Sequence, residues 1–326
     1  MVARDAHEPE SPQLATRFAP ELLHRAAQLY YLEDANQADI ALALNTSRTT
    51  VSRLLAEARS AGIVRIEVVD PAHLTSGELA HDLQRALGLR AAYVTPSDGG
   101  RQTGPVLAGA VSEALAATDL RAGDALLVSS GATLHAVAQQ SLPSLPGVLV
   151  APTVGGVDEP GEPYQTNEIT RTIAVKVGGS PMLLYAPLQP SEGLYRMLLT
   201  EASTRRVISL WSDAKVALLG IGAPPRTRQL RPSVLARDDA ALAAAVGDIC
   251  ARPFDGQGRP IAFPGSDRLM AMDLADVTRV PSSIGVAVGV DKVPAITAAV
   301  AAGWVNTLVT DSPTARALLA VLDVSP

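Results

Sequence analysis

Two groups of residues in this chain have the types and spacing for binding chemistry. The first is Ser129, Ser130, Gly131, Ala132 and Thr133, which follow the apolar run ALLV and precede a helical pattern. Where a strand turns into a helix, free backbone N–H groups, the positive end of the helix dipole and nearby hydroxyls can hold a phosphate, with no base or nucleophile needed. Lys292, in Gly289-Val290-Asp291-Lys292, stands in a similar place, just after a strand-like run and at a helix start, where an ammonium can neutralise an anion. Gly155 and Gly156 end the run VLVAPTV and give the backbone room to approach a ligand closely. Each has a plainer alternative: small residues at such a turn also permit close packing, and Lys292 can be an ordinary surface lysine.

The second group lies between residues 36 and 65. Asn36 to Leu44 and Ser47 to Ala61 read as two short helices joined by a break at Asn45 and Thr46, with Thr46 or Ser47 able to cap the second. On that second helix Val51, Leu54, Leu55 and Ala58 form an apolar stripe, leaving Arg48, Thr49, Ser52, Arg53 and Arg59 on the remaining surface. Arg48, Arg53, Arg59 and Arg65 stand against Glu57 alone, a local excess of three positive charges. This is the pattern of a helix-turn-helix, whose second helix enters the major groove of double-stranded operator DNA. By position Arg48, Thr49, Thr50 and Ser52 belong near base edges, Arg53 and Arg59 near phosphates, and Ser47 joins them at the DNA-binding face. A solvated amphipathic helix in a three-helix bundle is the alternative. Such modules bury little surface, so symmetric copies on a palindrome, hence a homo-oligomer (dimer or tetramer), are expected.

Composition bounds these readings. The 326 residues are 47% hydrophobic, 18% charged and only 3% aromatic, with a formal net charge of -6. No global positive field points to nucleic acid, so DNA contact has to come from the local stripe. The one cysteine, Cys250, can form neither an internal disulfide nor a multi-cysteine metal site; it reads as a small buried residue in a reducing, cytoplasmic compartment. No metal or cofactor is expected. Gly220-Ile221-Gly222 lacks the third glycine of a dinucleotide fingerprint, Pro225 standing there, and reads instead as a pocket wall. Val293 to Thr310 is apolar enough to approach the lower limit for a membrane span, but Pro294, Gly303 and Asn306 interrupt it; it reads as a helix ending at Gly303, then a strand.

These sites need elements to carry them. Residues 1–16 mix charge and proline and read as a disordered start; 17–70 carry three helical patterns from Pro20, the third stopped by Gly62 and followed by a short strand, IVRIEVV. Asp70 to Ser76 reads as a linker, with Thr75 and Glu78 as a capping box, so residues 71–326 form a second domain. There AAYVTP, ALLVSSG, GVLVAPTVGG, PMLLYAPL, KVALLGIG, SIGVAVG and NTLVTD alternate with helical or polar segments. Continuous apolar runs mean strands covered on both faces, hence a mainly parallel α/β sheet behind an all-α N-terminal domain.

The segment NQADIALALNTSRTTVSRLLAEARSAGIVRIEV, with GDALLVSSGATLHAVA, VGDICARPFDGQGRPI and GVAVGVDKVPAITAAVAAGWVNTLVTD downstream, resembles the SorC/DeoR-type sugar-responsive transcriptional regulators. The resemblance covers nearly the whole chain from about Leu22. It implies a C-terminal effector domain like the sugar-phosphate isomerases and deaminases, which binds a sugar or sugar phosphate and changes operator affinity, usually within a tetramer. It also implies that Lys292 touches phosphate and that Asp248 faces sugar hydroxyls, a role a carboxylate acceptor suits; Asp248 as a simple turn cap is the alternative. Some relatives carry a polar or lysine side chain immediately before the glycine pair, whereas Thr153 and Val154 stand here, so a lysine adduct is not expected. Ser130 stands where relatives carry a large aromatic. The rival function is an isomerase- or deaminase-like enzyme with an accessory helix-turn-helix, which would need a carboxylate base from Asp248 or Asp311. His135 reads as packed rather than catalytic, and Arg171 as exposed.

Overall fold

The computed structural model describes residues 17–64, 71–97, 103–157, 164–224 and 240–323. The chain divides into two compact units, Met1–Val69 and Asp70–Pro326.

In the first unit the helical spacing produces α1 (Pro20–Tyr31), α2 (Gln37–Ala43) and α3 (Arg48–Ser60). Leu23, Ala26, Leu29, Ile40, Val51, Leu54, Leu55 and Ala58 are buried together as its core. Asn36 caps α2, its side chain accepting from the amides of Ala38 and Asp39. Asn45, in the left-handed region at φ 49°, ends it. There the Thr46 amide donates to the Ala41 carbonyl and that of Asn45 to Leu42, the reciprocal pair of a Schellman stop. Gly62 at φ 74° stops α3. Ile63 and Val64 are not strand, and the rest of the strand expected from IVRIEVV, Arg65 included, lies outside the described residues.

The second unit opens with α4 (Pro71–Leu87), which corrects the expected linker. Pro71 suits a first helical turn, where its missing N–H costs nothing. Thr75 is therefore inside the helix rather than capping it, and Ser76 is buried, its hydroxyl 3.2 Å from that of Ser312. There follow β1 (Ala91–Thr95), α5 (Thr103–Ala116), β2 (Ala125–Val128), α6 (Ala132–Ala138), β3 (Leu149–Pro152), α7 (Thr166–Val177) and β4 (Ser180–Pro181). Next come α8 (Glu192–Thr200), α9 (Ala202–Asp213), β5 (Val216–Gly220), β6 (Ala245–Ile249), β7 (Arg252–Asp255) and α10 (Leu274–Val277). The chain closes with β8 (Ser282–Val286), α11 (Val293–Ala301), β9 (Thr307–Asp311) and α12 (Ser312–Asp323).

Seven strands form one parallel sheet in the order β1-β9-β8-β5-β2-β3-β4. The apolar runs are continuous because both faces are covered. Leu126, Val128, Val216, Leu218 and Ile284 pack with Leu107, Leu134 and Ile173 of α5, α6 and α7. The alternate residues Leu127, Ala217, Leu219 and Leu308 pack with Trp211, Ile296 and Leu318 of α9, α11 and α12. The architecture is a mixed α/β domain with a mainly parallel sheet.

Two elements depart from expectation. PMLLYAPL supplies only Pro181 to the two-residue edge strand β4. Past it, Asn167 takes the chain over: its Oδ1 accepts the Leu184 amide and its Nδ2 donates to the Leu184 carbonyl. Proline at 181 and 187 removes two ladder donors as well. Conversely, β6 and β7 form an antiparallel hairpin that the apolar pattern does not announce.

Candidate functional site

The direction of strand succession reverses between β2 and β5. From β2 the chain steps outward to β3 and β4, and from β5 it steps the other way to β8 and β9. In open parallel sheets, ligands occupy the crevice outside the carboxyl ends of the strands at this switch. Ser129 to Thr133 follow β2, Gly220 ends β5 with Ile221 and Gly222 after it, Gly155 and Gly156 follow β3, and Lys292 follows β8. All of them therefore leave the sheet at one edge. Asp248 joins through the hairpin, because the Gly222 amide donates to its backbone carbonyl at 2.9 Å.

Within this edge the residues have distinct tasks. Ser129 is buried, its amide donating to the Leu218 carbonyl and its hydroxyl accepting the Gly220 amide at 2.8 Å. It ties β2 to β5 rather than facing outward. Ser130, Gly131 and Thr133 are half-buried and Ala132 exposed, with Gly131 at φ 124°, a value side chains rarely adopt, before the short helix α6. Gly155 and Gly156 do not offer donors. Their amides are engaged by the carbonyls of Met270 and Ala186, and a Cβ on Gly155 would come within 2.6 Å of the Ala186 carbonyl oxygen. The close approach expected at Gly155 is thus made by the chain's own backbone. Asp248 is buried on β6, and Lys292 is half-buried at the end of a 3-10 turn that leads into α11.

Neighbouring groups that sequence reasoning weighed as reactive have structural tasks here. Asp311 accepts the Thr314 amide at 3.1 Å, as the cap of α12. His135 packs edge-on to Tyr164, ring centres 5.3 Å apart. Arg171 is exposed. Cys250 is buried at the tip of the β6–β7 hairpin, where burial pushes its thiol up to about 12 and Asp248 adds to the rise, against the lowering effects of Thr153 and Arg252. An open cleft also lies at the opposite edge, lined by Arg90, Tyr93, Asp119, Lys215, Ser282 and Thr307 near the amino ends of the strands. Burial, with Glu113 nearby, raises the Tyr93 phenol there.

In the first unit, Ser47, Arg48, Thr49, Ser52, Arg53 and Arg59 are all exposed along α3, and Thr50 is half-buried. Ser47 and Thr50 are paired: the Ser47 hydroxyl accepts the Thr50 amide at 3.1 Å, and the two hydroxyls are 2.8 Å apart. Their first task is to cap α3. Arg48, Arg53 and Arg59 form no ion pair with another described residue. Glu57 is turned to the start of α1, accepting the amides of Arg17 and Phe18. Among the described residues no helix is long and apolar enough to cross a membrane, and no group of three or more His, Cys, Asp or Glu side chains could hold a metal ion.

Comparison with known proteins gives this geometry its family. Residues 73–320 match the model of a sugar-binding domain family. The deoxyribonucleoside regulator of Bacillus subtilis (strain 168) is 33% identical over 308 residues, covering 92% of this chain and 97% of that protein. The sorbitol operon regulator of Klebsiella pneumoniae is 30% identical over 308 residues, covering 91% of this chain and 97% of that one. The crystal structure of the full-length sorbitol operon regulator SorC from Klebsiella pneumoniae superposes with a TM-score of 0.67 at 28% identity, over 92% of this chain and 98% of that one. The chain belongs to the SorC/DeoR-type family of sugar-binding transcriptional regulators. It is an effector-controlled regulator of transcription.

Proposed function

We propose that the first unit is a helix-turn-helix DNA-binding domain and the second an effector domain, resembling the sugar-phosphate isomerases, that binds a small sugar or sugar phosphate at the carboxyl edge of its sheet. The observation that carries this reading is the convergence of the loops after β2, β3, β5 and β8 on one edge, at the switch point of the strand order. In this reading Ser130, Gly131, Ala132 and Thr133 offer amides and hydroxyls to the effector, Lys292 neutralises its charge and Asp248 accepts from its hydroxyls. Gly155 and Gly156 shape the rim.

Arg48, Arg53 and Arg59, exposed and without an ion pair among the described residues, on a helix with a firm N-terminal cap, support DNA contact by α3. Arg48, Thr49 and Ser52 then read base edges, while Arg53 and Arg59 meet phosphates. Operator binding by one such helix buries too little surface, so a cytoplasmic homo-oligomer, dimer or tetramer, is part of the proposal. A sensor role fits better than catalysis because Asp311 caps a helix and His135 packs edge-on to Tyr164, so both of these candidate groups already have structural tasks.

The test uses the full chain in a thermal-shift screen against hexose and pentose phosphates and the matching free sugars, with turnover followed in parallel. A ligand that binds only the folded state raises Tm by mass action, so a rise without turnover is expected. Turnover abolished by Asp248→Asn would overturn the sensor reading. On the DNA side, Arg53→Ala should weaken binding and lower the salt slope by about one, as loss of one phosphate contact does. An unchanged slope would remove α3 from the interface.

A further inference from the structure

We infer that the Ser129–Gly220 pair sets the width of the effector crevice, with Ser129 as a positioning residue and Gly220 as the residue that decides what the crevice admits; this rests on the effector reading above. Several glycines on the carboxyl side of the sheet are required by the fold. A Cβ on Gly155 or Gly247 would lie 2.6 Å from a neighbouring atom, and one on Gly285 would lie 2.7 Å from Val305. Gly131 and Gly289 have φ of 124° and 118°, where side chains are strained.

Gly220 has neither constraint. Its φ is not in the left-handed region, and among the described residues a Cβ built on it meets only Ser129 Oγ at 3.5 Å and the Ser130 carbonyl oxygen at 3.6 Å, ordinary contact distances. The fold therefore tolerates a side chain here. That Cβ would occupy the gap between the loops after β2 and β5, the position of the switch-point crevice. The bareness of Gly220 serves the occupant of that gap rather than the packing.

Ser129 fixes the gap from the other side. It lies 91 residues away in sequence, yet its hydroxyl accepts the Gly220 amide at 2.8 Å, and its own amide holds the Leu218 carbonyl at 3.0 Å. Two residues on, Gly222 donates to the Asp248 carbonyl. The chain of contacts runs from the β2 loop through the β5 loop to the hairpin that carries Asp248. Releasing the Ser129 hydroxyl loosens the register between the loops without removing a ligand contact. The compact end of a sugar, a phosphate or a hydroxymethyl group, is the size of occupant a one-carbon side chain would exclude.

The experiment compares wild type, Gly220→Ala, Ser129→Ala and Ser129→Thr in the same panel of sugar phosphates and free sugars. Gly220→Ala should melt within about 2 °C of wild type without ligand, as a tolerated surface-like change does, and lose the ligand-induced shift at every concentration. Ser129→Ala should need about tenfold more ligand for half of the shift, in line with a lost buried hydrogen bond, and Ser129→Thr, which keeps the hydroxyl, should restore the wild-type midpoint. If only sugar phosphates shift wild type, the compact end is the phosphate; if the free sugars do so equally, it is the hydroxymethyl group. A Gly220→Ala chain that responds as wild type does, or that fails to fold, overturns the inference while leaving the effector reading intact. An unchanged midpoint in Ser129→Ala removes the positioning role. A panel in which nothing shifts wild type overturns the effector reading and this inference together.

Discussion

The Glu57 carboxylate, on α3, accepts the amide of Phe18 at 3.2 Å, just ahead of α1, and the adjacent Arg17 amide as well. The acidic residue within the basic stripe is thereby withdrawn from the arginine surface and used to satisfy backbone donors that precede a helix whose own N-cap, Ala19, has no side-chain acceptor. It also draws α1 onto α3.

Glu57→Ala should destabilise the first unit by about 0.5–1.5 kcal/mol, the net worth of hydrogen bonds whose donors water can still reach. Glu57→Gln keeps a carbonyl acceptor and should recover most of that loss. Thermal unfolding followed by circular dichroism measures both. Identical melting curves for Glu57→Ala and wild type would show that the contact contributes nothing.

The β6–β7 hairpin turns on Cys250 and Ala251, both left-handed at φ 52° and 57°. A two-residue hairpin loop with both residues left-handed is a type I′ turn, where glycine is strongly preferred at the second position. Alanine there costs about 1 kcal/mol of backbone strain. Ala251→Gly should raise the urea midpoint by the corresponding amount without a change in m. A lowered midpoint would mean that the methyl group of Ala251 packs well enough to outweigh the strain.

That hairpin also shows why parts of the fold are not legible in the sequence. The helices of the first unit are, because Leu23, Ala26, Ile40, Val51, Leu54 and Ala58 repeat at helical spacing and Asn45 and Ser47 are strong stop and start residues. The strands of the main sheet are, because β2, β5, β8 and β9 are buried on both faces. The hairpin strands are short and joined by Cys-Ala, a pair that carries no turn signal, so neither pattern nor turn chemistry marks them. PMLLYAPL looks like a strand by composition, but its path is decided by Asn167, 17 residues before Leu184. The candidate site divides in the same way. Ser129 to Thr133 can be found from a local strand-to-helix turn, whereas the partnership of Ser129 with Gly220 depends on β2 and β5 being neighbours in the sheet. Local reading supplies the residues; topology assigns their tasks.

The opposite edge of the same two strands gives a prediction with a definite pH dependence. Asp124 precedes β2 and Lys215 precedes β5, and the Lys215 ammonium donates to Asp124 Oδ2 at 2.9 Å while the Arg121 amide donates to the same oxygen at 2.8 Å. The Lys215 hydrogen bond, followed by that of the Arg121 amide, holds the Asp124 carboxyl below its usual value. Because the folded-state pKa is depressed, the stabilisation is complete above the unfolded carboxylate value of about 3.9 and is lost as pH falls through the folded value. Wild type should therefore lose stability between about pH 5 and pH 2 more steeply than Asp124→Asn, with the difference between the two shrinking as the acid limit is reached. Asp255 is likewise lowered, chiefly by the Arg259 amide, so the variant keeps part of the acid slope. Urea midpoints measured at a series of pH values give the comparison. Parallel curves for wild type and Asp124→Asn would show that the contact between the feet of β2 and β5 does not help hold the strands at the switch point.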